Sequence, residues 1–162
     1  MIGWPYMNKR GILVLNNLRS VENVGSIFRT AEALGIEKII LIGTTPTPLD
    51  RFGRKRKDLA KVALGAEEFL PWEYYKEITY CPINLKKEGY EVLALEQSKD
   101  SKPISDFKPM NKFALILGNE VEGIEKEVLN SCDHVLEIPM QGKKESLNVS
   151  VAAGIALFEL LS

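Results

Sequence analysis

Histidine is almost missing from this chain of 162 residues, where His134 stands alone, and cysteine is scarce, with Cys81 and Cys132 far apart and no Cys-x-x-Cys. These shortages leave nothing from which to assemble a zinc site or a Cys/His nucleophile pair, so no metal is expected. A lone histidine with no Gly-x-Ser-x-Gly elbow also argues against a serine triad. No apolar run approaches the roughly eighteen residues of a membrane helix, and the first residues lack the apolar core of a signal peptide. A reduced, cytoplasmic protein with no membrane partner is therefore expected. Phosphate cradles are missing too. No Gly-x-Gly-x-x-Gly follows the first apolar run, and although Gly118 and Gly123 have phosphate-loop spacing, Ile124 and Glu125 stand where Lys and Ser/Thr are needed. Glu120 and Glu122 in that turn would repel a phosphate.

What is present suits a folded domain: 45% hydrophobic and 27% charged residues, at a length that buries about 68 to 70% of the unfolded surface. Residues 1–10, with Gly3 and Pro5 and no periodicity, read as a flexible N-terminal arm, and residues 11–162 as a single domain. Apolar runs suited to strands recur at Gly11–Asn16, Lys38–Ile42, Glu91–Leu95, Phe113–Leu117 and Val135–Ile138, with a shorter strand at Glu68–Leu70. Val24, Ile27, Phe28, Ala31 and Leu34 form one face of a helix that starts near Asn23, a good cap residue, and stops at Gly35. Further helices are expected at about 55–64, 82–87 and 124–131, and after Ser146-Leu147-Asn148. This alternation predicts an α/β fold, a mainly parallel sheet with helices on both faces. The last helix, Val149 to Leu161, has almost no polar face and needs cover on all sides, from within the domain or from a partner subunit.

The net charge of −1 hides an asymmetry: residues 1–61 carry 11 Lys/Arg against 5 Asp/Glu, residues 62–162 carry 10 against 17. The densest basic stretch is Arg51, Arg54, Lys55, Arg56 and Lys57. By charge alone it suits a solvated loop best; the alternative is contact with a polyanion backbone, which would show strong salt dependence. Ser26 and Arg29 share a helix face away from the apolar stripe, beside a helix N-terminus where an anion can bind.

The segment from Phe113 to Val151 is the candidate site. Two of its strands end in polar turns bearing glycine, Gly118 to Gly123 and Pro139 to Glu145, with helices just beyond, and ligands of open α/β sheets bind outside the carboxyl ends of strands.

Three motifs in this order resemble the SpoU/TrmH branch of the SPOUT RNA methyltransferases. Asn23-Val24-Gly25-Ser26-Ile27-Phe28-Arg29-Thr30-Ala31 is similar to the first and Leu117-Gly118-Asn119-Glu120-Val121-Glu122-Gly123-Ile124 to the second. Ile138-Pro139-Met140 with Ser146-Leu147-Asn148-Val149-Ser150-Val151-Ala152 is similar to the third, and the likeness spans about Gly11 to Leu161. The resemblance implies a C-terminal trefoil knot, which ordinary connection rules would reject, a homodimer, and S-adenosylmethionine as methyl donor. By motif position the cofactor would be held by Gly118, Ile138 and Leu147, with Leu95, Glu96, Leu117, Asn119, Met140, Ser146 and Asn148 close by. Core packing is the competing role for Leu117, Ile138 and Leu147.

The reaction implied is methyl transfer to a ribose 2′-hydroxyl of tRNA or rRNA, with no DNA partner. Arg29, reaching across the dimer, would be the principal catalytic residue, with Asn23, Glu120, Ser146 and Asn148 positioning it, the substrate or the cofactor loop. A guanidinium holds its proton far above neutral pH, so a neutral one at pH 7 is costly. A cation that orients phosphate and steadies the emerging alkoxide is therefore favoured over a base. Arg29, Lys9, Arg10, Arg51, Arg54, Lys55, Arg56 and Lys57 are the RNA-binding candidates, since the catalytic domain itself would have to grip the RNA. Two alternatives stay open, a non-catalytic RNA- or cofactor-binding module on the same fold and a generic α/β nucleotide-binding enzyme.

Overall fold

Seven strands lie side by side in the order β3-β2-β1-β6-β4-β7-β5, and every pairing between them is parallel. The computed structural model describes residues 8–162, so most of the expected arm lies outside the described residues. The elements in chain order are β1 (Arg10–Asn16), α1 (Val21–Ala33), β2 (Lys38–Ile42), α2 (Lys57–Ala63), α3 (Ala66–Phe69), β3 (Trp72–Tyr75) and α4 (Cys81–Lys87). They continue with β4 (Glu91–Leu95), β5 (Lys102–Pro103), a 3₁₀ turn at Ile104–Asp106, β6 (Lys112–Leu117), α5 (Lys126–Ser131), β7 (His134–Glu137) and α6 (Val149–Leu161).

A parallel sheet is covered on both faces, so its central strands are continuous apolar runs. In β1, Leu13 and Leu15 join the core beneath α1 and α6, while Ile12 and Val14 face the opposite layer with Leu85 of α4 and Val128 of α5. After β4 the chain makes β5 at the far edge, then returns to insert β6 between β1 and β4 and β7 between β4 and β5. The strands nearest the carboxyl terminus thus occupy interior places, and their ends open onto the segment singled out as the candidate site.

Three expectations need correction. Helix α1 is capped by Ser20, not Asn23: the Ser20 hydroxyl accepts from the Asn23 backbone N–H at 3.1 Å, which leaves the Asn23 side chain free for other work. The strand expected at Glu68–Leu70 is the helix α3, which follows two left-handed residues, Leu64 and Gly65. The strand comes after Pro71 instead, as the half-solvated edge strand β3 of sequence WEYY, whose polar and aromatic composition hides it from a search for apolar runs. Arg10 does not belong to an arm: it opens β1 and makes two hydrogen bonds to Glu37 at 2.9 and 2.7 Å. Lys9 donates to the Leu160 and Ser162 carbonyls at 3.0 Å, closing the C-terminal end of α6, where a cation suits the helix dipole. Of the two covers considered for α6, the domain supplies only part. Ala153, Ala156, Leu157 and Leu160 are buried against α1, but Val151, Ile155 and Phe158 form a stripe that is 50, 43 and 67% exposed. Among the described residues no helix is long and apolar enough to cross a membrane.

Candidate functional site

At the carboxyl ends of β4, β6 and β7 lies a cleft of about 370 Å³, within the size range of small-molecule sites. The turn after β6 forms one wall, and its shape is fixed by its own polar groups. Asn119 and Gly123 exchange backbone hydrogen bonds at 3.2 and 2.9 Å. The Asn119 side-chain oxygen accepts from Val121 N and Glu122 N at 2.8 and 3.0 Å, while its amide donates to the Asn17 carbonyl at 2.8 Å. Glu96, just past β4, accepts from Ile124 N at 2.8 Å and from Gln97 N at 3.1 Å. Glu96 and Asn119 therefore build the wall, their polar atoms turned to main chain. Gly118 is required by space, since a Cβ there would lie 2.5 Å from Ile124 Cγ1 and 2.6 Å from the Gly123 carbonyl carbon.

Leu95, Leu117, Ile138, Met140 and Leu147 supply the apolar surface of the cleft, with Gly118 and Ser146 between them. Its charge is one-sided: Glu96, Glu120, Glu137 and Glu145 line it, and among the described residues no Lys, Arg or His does. Every cofactor residue expected from the motifs lines this cleft except Asn148, which stands at its rim as the cap of α6. The motif residues Val121, Gly123, Val149 and Ala152 line it as well, and so do Gln97, Glu137 and Glu145, which lie outside the motifs. Most sit next to motif residues, Glu137 before Ile138 and Glu145 before Ser146, so chain adjacency was the available signal.

The polar motif residues meet beside the cleft. Asn148 Oδ1 accepts from Ser150 N at 2.9 Å, capping α6, and its amide donates to Asn23 Oδ1 at 3.1 Å. The Asn23 amide in turn donates to Glu120 Oε1 at 3.3 Å. Three motifs, on α1, the β6 turn and α6, are thereby tied by side chains of residues up to 125 positions apart. Arg29 is not brought to the cleft. It is exposed on α1 and lines a separate concavity with Ser26, Thr30, Gly154 and Phe158, next to the uncovered stripe of α6.

The basic stretch is partly neutralised. Arg54 pairs with Asp50 at 3.0 Å, Arg56 with Asp58 at 2.8 Å, and Lys55 with Glu68; Arg51 and Lys57 have no carboxylate partner among the described residues. The cysteines offer no nucleophile. Burial pushes the Cys81 thiol up to about 11 and the Cys132 thiol up to about 12, so both stay protonated at neutral pH. No cluster of metal ligands occurs among the described residues.

A parallel sheet with a carboxylate-lined cleft at its strand ends defines an α/β protein of the open-sheet type, whose ligands bind at the carboxyl ends of the strands. The chain belongs to the SpoU rRNA Methylase family, whose model matches residues 10–158. It is 34% identical over 149 residues to the 23S rRNA (guanosine-2'-O-)-methyltransferase RlmB of Ralstonia nicotianae, a match covering 91% of this chain and 57% of that protein. It is 32% identical over 156 residues to the putative TrmH family tRNA/rRNA methyltransferase YacO of Bacillus subtilis, covering 91% of this chain and again 57% of the relative. The chain thus spans a little over half the length of these curated relatives. Among solved structures it is similar to an AdoMet-bound rRNA methyltransferase from Sinorhizobium meliloti, with a TM-score of 0.81 at 26% identity, covering 93% of this chain and 55% of that one. It is also similar to the TrmH/SpoU tRNA modifying enzyme of A. aeolicus, with a TM-score of 0.80 at 25% identity, covering 93% and 73%.

Proposed function

We propose that this chain is the catalytic domain of an RNA methyltransferase that uses S-adenosylmethionine to methylate a ribose 2′-hydroxyl of tRNA or rRNA. The observation that carries this reading is the cleft itself, with four carboxylates, no cation and apolar walls. A sulfonium with an ammonium group suits such a field, and a nucleotide di- or triphosphate does not. When bound, S-adenosylmethionine supplies an electrophilic methyl group for the ribose oxygen. Leu95, Leu117, Ile138 and Leu147 would hold the adenine between apolar surfaces, the Gly118 main chain would approach it closely, and Glu137 and Glu145 would face the cationic end.

The remaining residues act on the sugar. Arg29 fixes the neighbouring phosphate and steadies the developing alkoxide. It serves the cleft of a partner subunit. The apolar stripe Val151, Ile155 and Phe158 beside it supports a homodimer, because that face is otherwise left in water. Asn23, Glu120 and Asn148 form the polar chain that aligns the loops around the sugar, and Ser146 borders the same space. The inward insertion of β6 and β7 suits the trefoil knot expected of the family, within a single domain that takes in β1 from Arg10 onward. Of the cationic candidates, Arg51 and Lys57 are the readiest RNA contacts, with Arg54, Lys55 and Arg56 beside them; Lys9 and Arg10 are already held by the fold.

Titration calorimetry and a methyl-transfer assay test this together. S-adenosylmethionine and its demethylated product should bind and ATP and NAD should not, and labelled methyl should appear on the 2′-oxygens of bulk RNA from cells lacking this protein. Binding of ATP or NAD in place of S-adenosylmethionine would replace this reading with that of a nucleotide enzyme, and donor binding without transfer would leave a non-catalytic module.

A further inference from the structure

Between β2 and α2 the chain turns back on itself at Asp50–Arg54 and carries Phe52 at the tip. Asp50 fixes this turn. One carboxylate oxygen accepts from Phe52 N at 2.8 Å and Arg54 N at 2.9 Å, and the other accepts from Arg54 Nε at 3.0 Å. The Asp50 backbone N–H donates to the Arg54 carbonyl at 2.8 Å, and Leu49 bridges Lys55 in antiparallel fashion. Gly53, at φ 77°, takes the left-handed position that this turn requires. A turn tied at this many points holds up a phenyl ring that is 65% exposed. The ring contributes nothing to the core, and the guanidiniums of Arg51 and Arg54 lie 4.8 and 4.9 Å from its centroid.

Phe52 borders a shallow concavity of about 840 Å³ shared with Arg51, Arg54, Arg56, Trp72 and Tyr74. The Tyr74 hydroxyl donates to the Gly43 carbonyl at 2.8 Å, which fixes its ring at the rim. Two hydrogen bonds through Asn17 tie its lining to the wall of the cleft at the strand ends. Thr44 N donates to Asn17 Oδ1 at 3.1 Å, and the Asn17 carbonyl accepts from Asn119 of the cleft wall at 2.8 Å.

A surface that only followed the phosphates of a duplex would need cations and no aromatic face. Exposed rings interleaved with guanidiniums are what unpaired bases require, because each base can stack on a ring while cations meet the adjoining phosphates. Residues 50–57 hold five cations, three of them paired with Asp50, Asp58 and Glu68, and the positive surplus suits a polyanionic strand better than an apolar protein surface. We propose that the Phe52 turn is a stacking platform for an unpaired base of the RNA strand that carries the target ribose, with Arg51 holding the phosphate beside that base. The proposal rests on the RNA methyltransferase reading above and adds the kind of RNA this domain selects, one whose target lies in a single-stranded loop or end.

The test uses the full chain with Phe52→Ala, Phe52→Trp and Arg51→Ala, a fluorescent single-stranded oligouridylate, and an RNA duplex of equal length, titrated across a salt series. Phe52→Ala should weaken single-strand binding about tenfold and leave duplex binding and the salt slope unchanged. Phe52→Trp should bind the single strand at least as well as the parent. Arg51→Ala should flatten the salt slope by about one ion. Equal single-strand affinity for parent and Phe52→Ala would overturn the proposal. So would equal losses on single strand and duplex, a Trp variant as weak as the Ala variant, or a parent that binds no single strand. S-adenosylmethionine calorimetry and methyl transfer are read separately. A parent that grips single strands through Phe52 yet transfers no methyl would sink the enzyme reading and leave the platform standing.

Discussion

The side-chain amides of Asn23 and Asn148, 125 residues apart in the chain, meet at 3.1 Å, and each does something different with its other end. Asn148 caps α6 through Ser150 N, whereas Asn23 reaches on to Glu120 and caps nothing, because Ser20 holds the start of α1. The two replacements should therefore separate. Asn148→Ala removes a cap and should cost about 1 kcal/mol of stability, together with activity. Asn23→Ala should melt with the parent protein and still lose about a hundredfold in kcat, the scale of a small misplacement of reacting groups. Melting curves beside single-turnover rates check this; an Asn23→Ala enzyme of normal rate would remove the polar chain from the chemistry.

Gly118 gives a second, purely steric expectation. A methyl group at this position would overlap Ile124 Cγ1 and the Gly123 main chain, and the turn cannot move aside because Glu96 and Asn119 pin it. Gly118→Ala should lower stability by about 1 to 3 kcal/mol and abolish calorimetric binding of S-adenosylmethionine. Gly142, in the next turn, has open space where its Cβ would be. Gly142→Ala should leave both quantities unchanged, which makes it the control.

How far the sequence led can be judged from particular residues. β1, β2, β4 and β6 were legible because a strand buried on both faces must be a near-continuous apolar run, as Ile12 to Leu15 and Phe113 to Leu117 are. β3 was not, because an edge strand needs only one apolar side and WEYY has a polar and aromatic pattern. Ser20 was overlooked as a cap because Asn23, three residues on, is as good a cap by type; only the backbone decides which hydroxyl or amide reaches an N–H. The cleft residues were found through motif likeness, but periodicity could not have shown that Glu96 spends its carboxylate on Ile124 N, or that Asn23, Glu120 and Asn148 touch. Those are long-range contacts set by the insertion of β6 and β7 into the sheet interior, which no local pattern encodes.

Acid should weaken this fold in a way that can be traced to single pairs. Arg10 holds the Glu37 carboxyl below its ordinary range, partial burial opposes that, and the Tyr90 hydroxyl adds to it; Glu73 is held low chiefly by Lys38. A carboxyl with a depressed folded value takes up a proton less readily folded than unfolded. Its contribution is therefore complete above the unfolded value, about 4.3 for Glu, and disappears as pH falls through the folded one. The pairs are largely solvated, so each contributes about 0 to 1 kcal/mol. Glu37→Gln should lower Tm by about 1 to 3 °C at pH 7, and the gap should close at low pH and narrow in high salt. Calorimetry at both pH values checks this; a gap that persists in acid would mean that packing, not charge, sets the difference.

Arg29 raises the sharpest question, because within one protomer it faces the concavity beside Phe158 and not the carboxylate-lined cleft. If it serves the partner's cleft, a dimer needs one intact Arg29 and one intact Gly118 on different subunits. Arg29→Ala alone should bind S-adenosylmethionine within about twofold of the parent, since no contact of Arg29 reaches the cleft, and should lose at least about a hundredfold in kcat. Gly118→Ala alone should be inactive for want of donor. Mixed and re-equilibrated, the two inactive proteins should regain activity. The hybrid pairs the undamaged cleft of the Arg29→Ala subunit with the undamaged guanidinium of the Gly118→Ala subunit, giving one working site. Were Arg29 to act within its own protomer, both sites of the hybrid would be defective and mixing would restore nothing. Phe158→Asp places a charge in the stripe that would join the subunits. Added to either partner it should both shift sedimentation toward the monomer and erase the complementation, so a hybrid that works without a dimer would overturn the shared site.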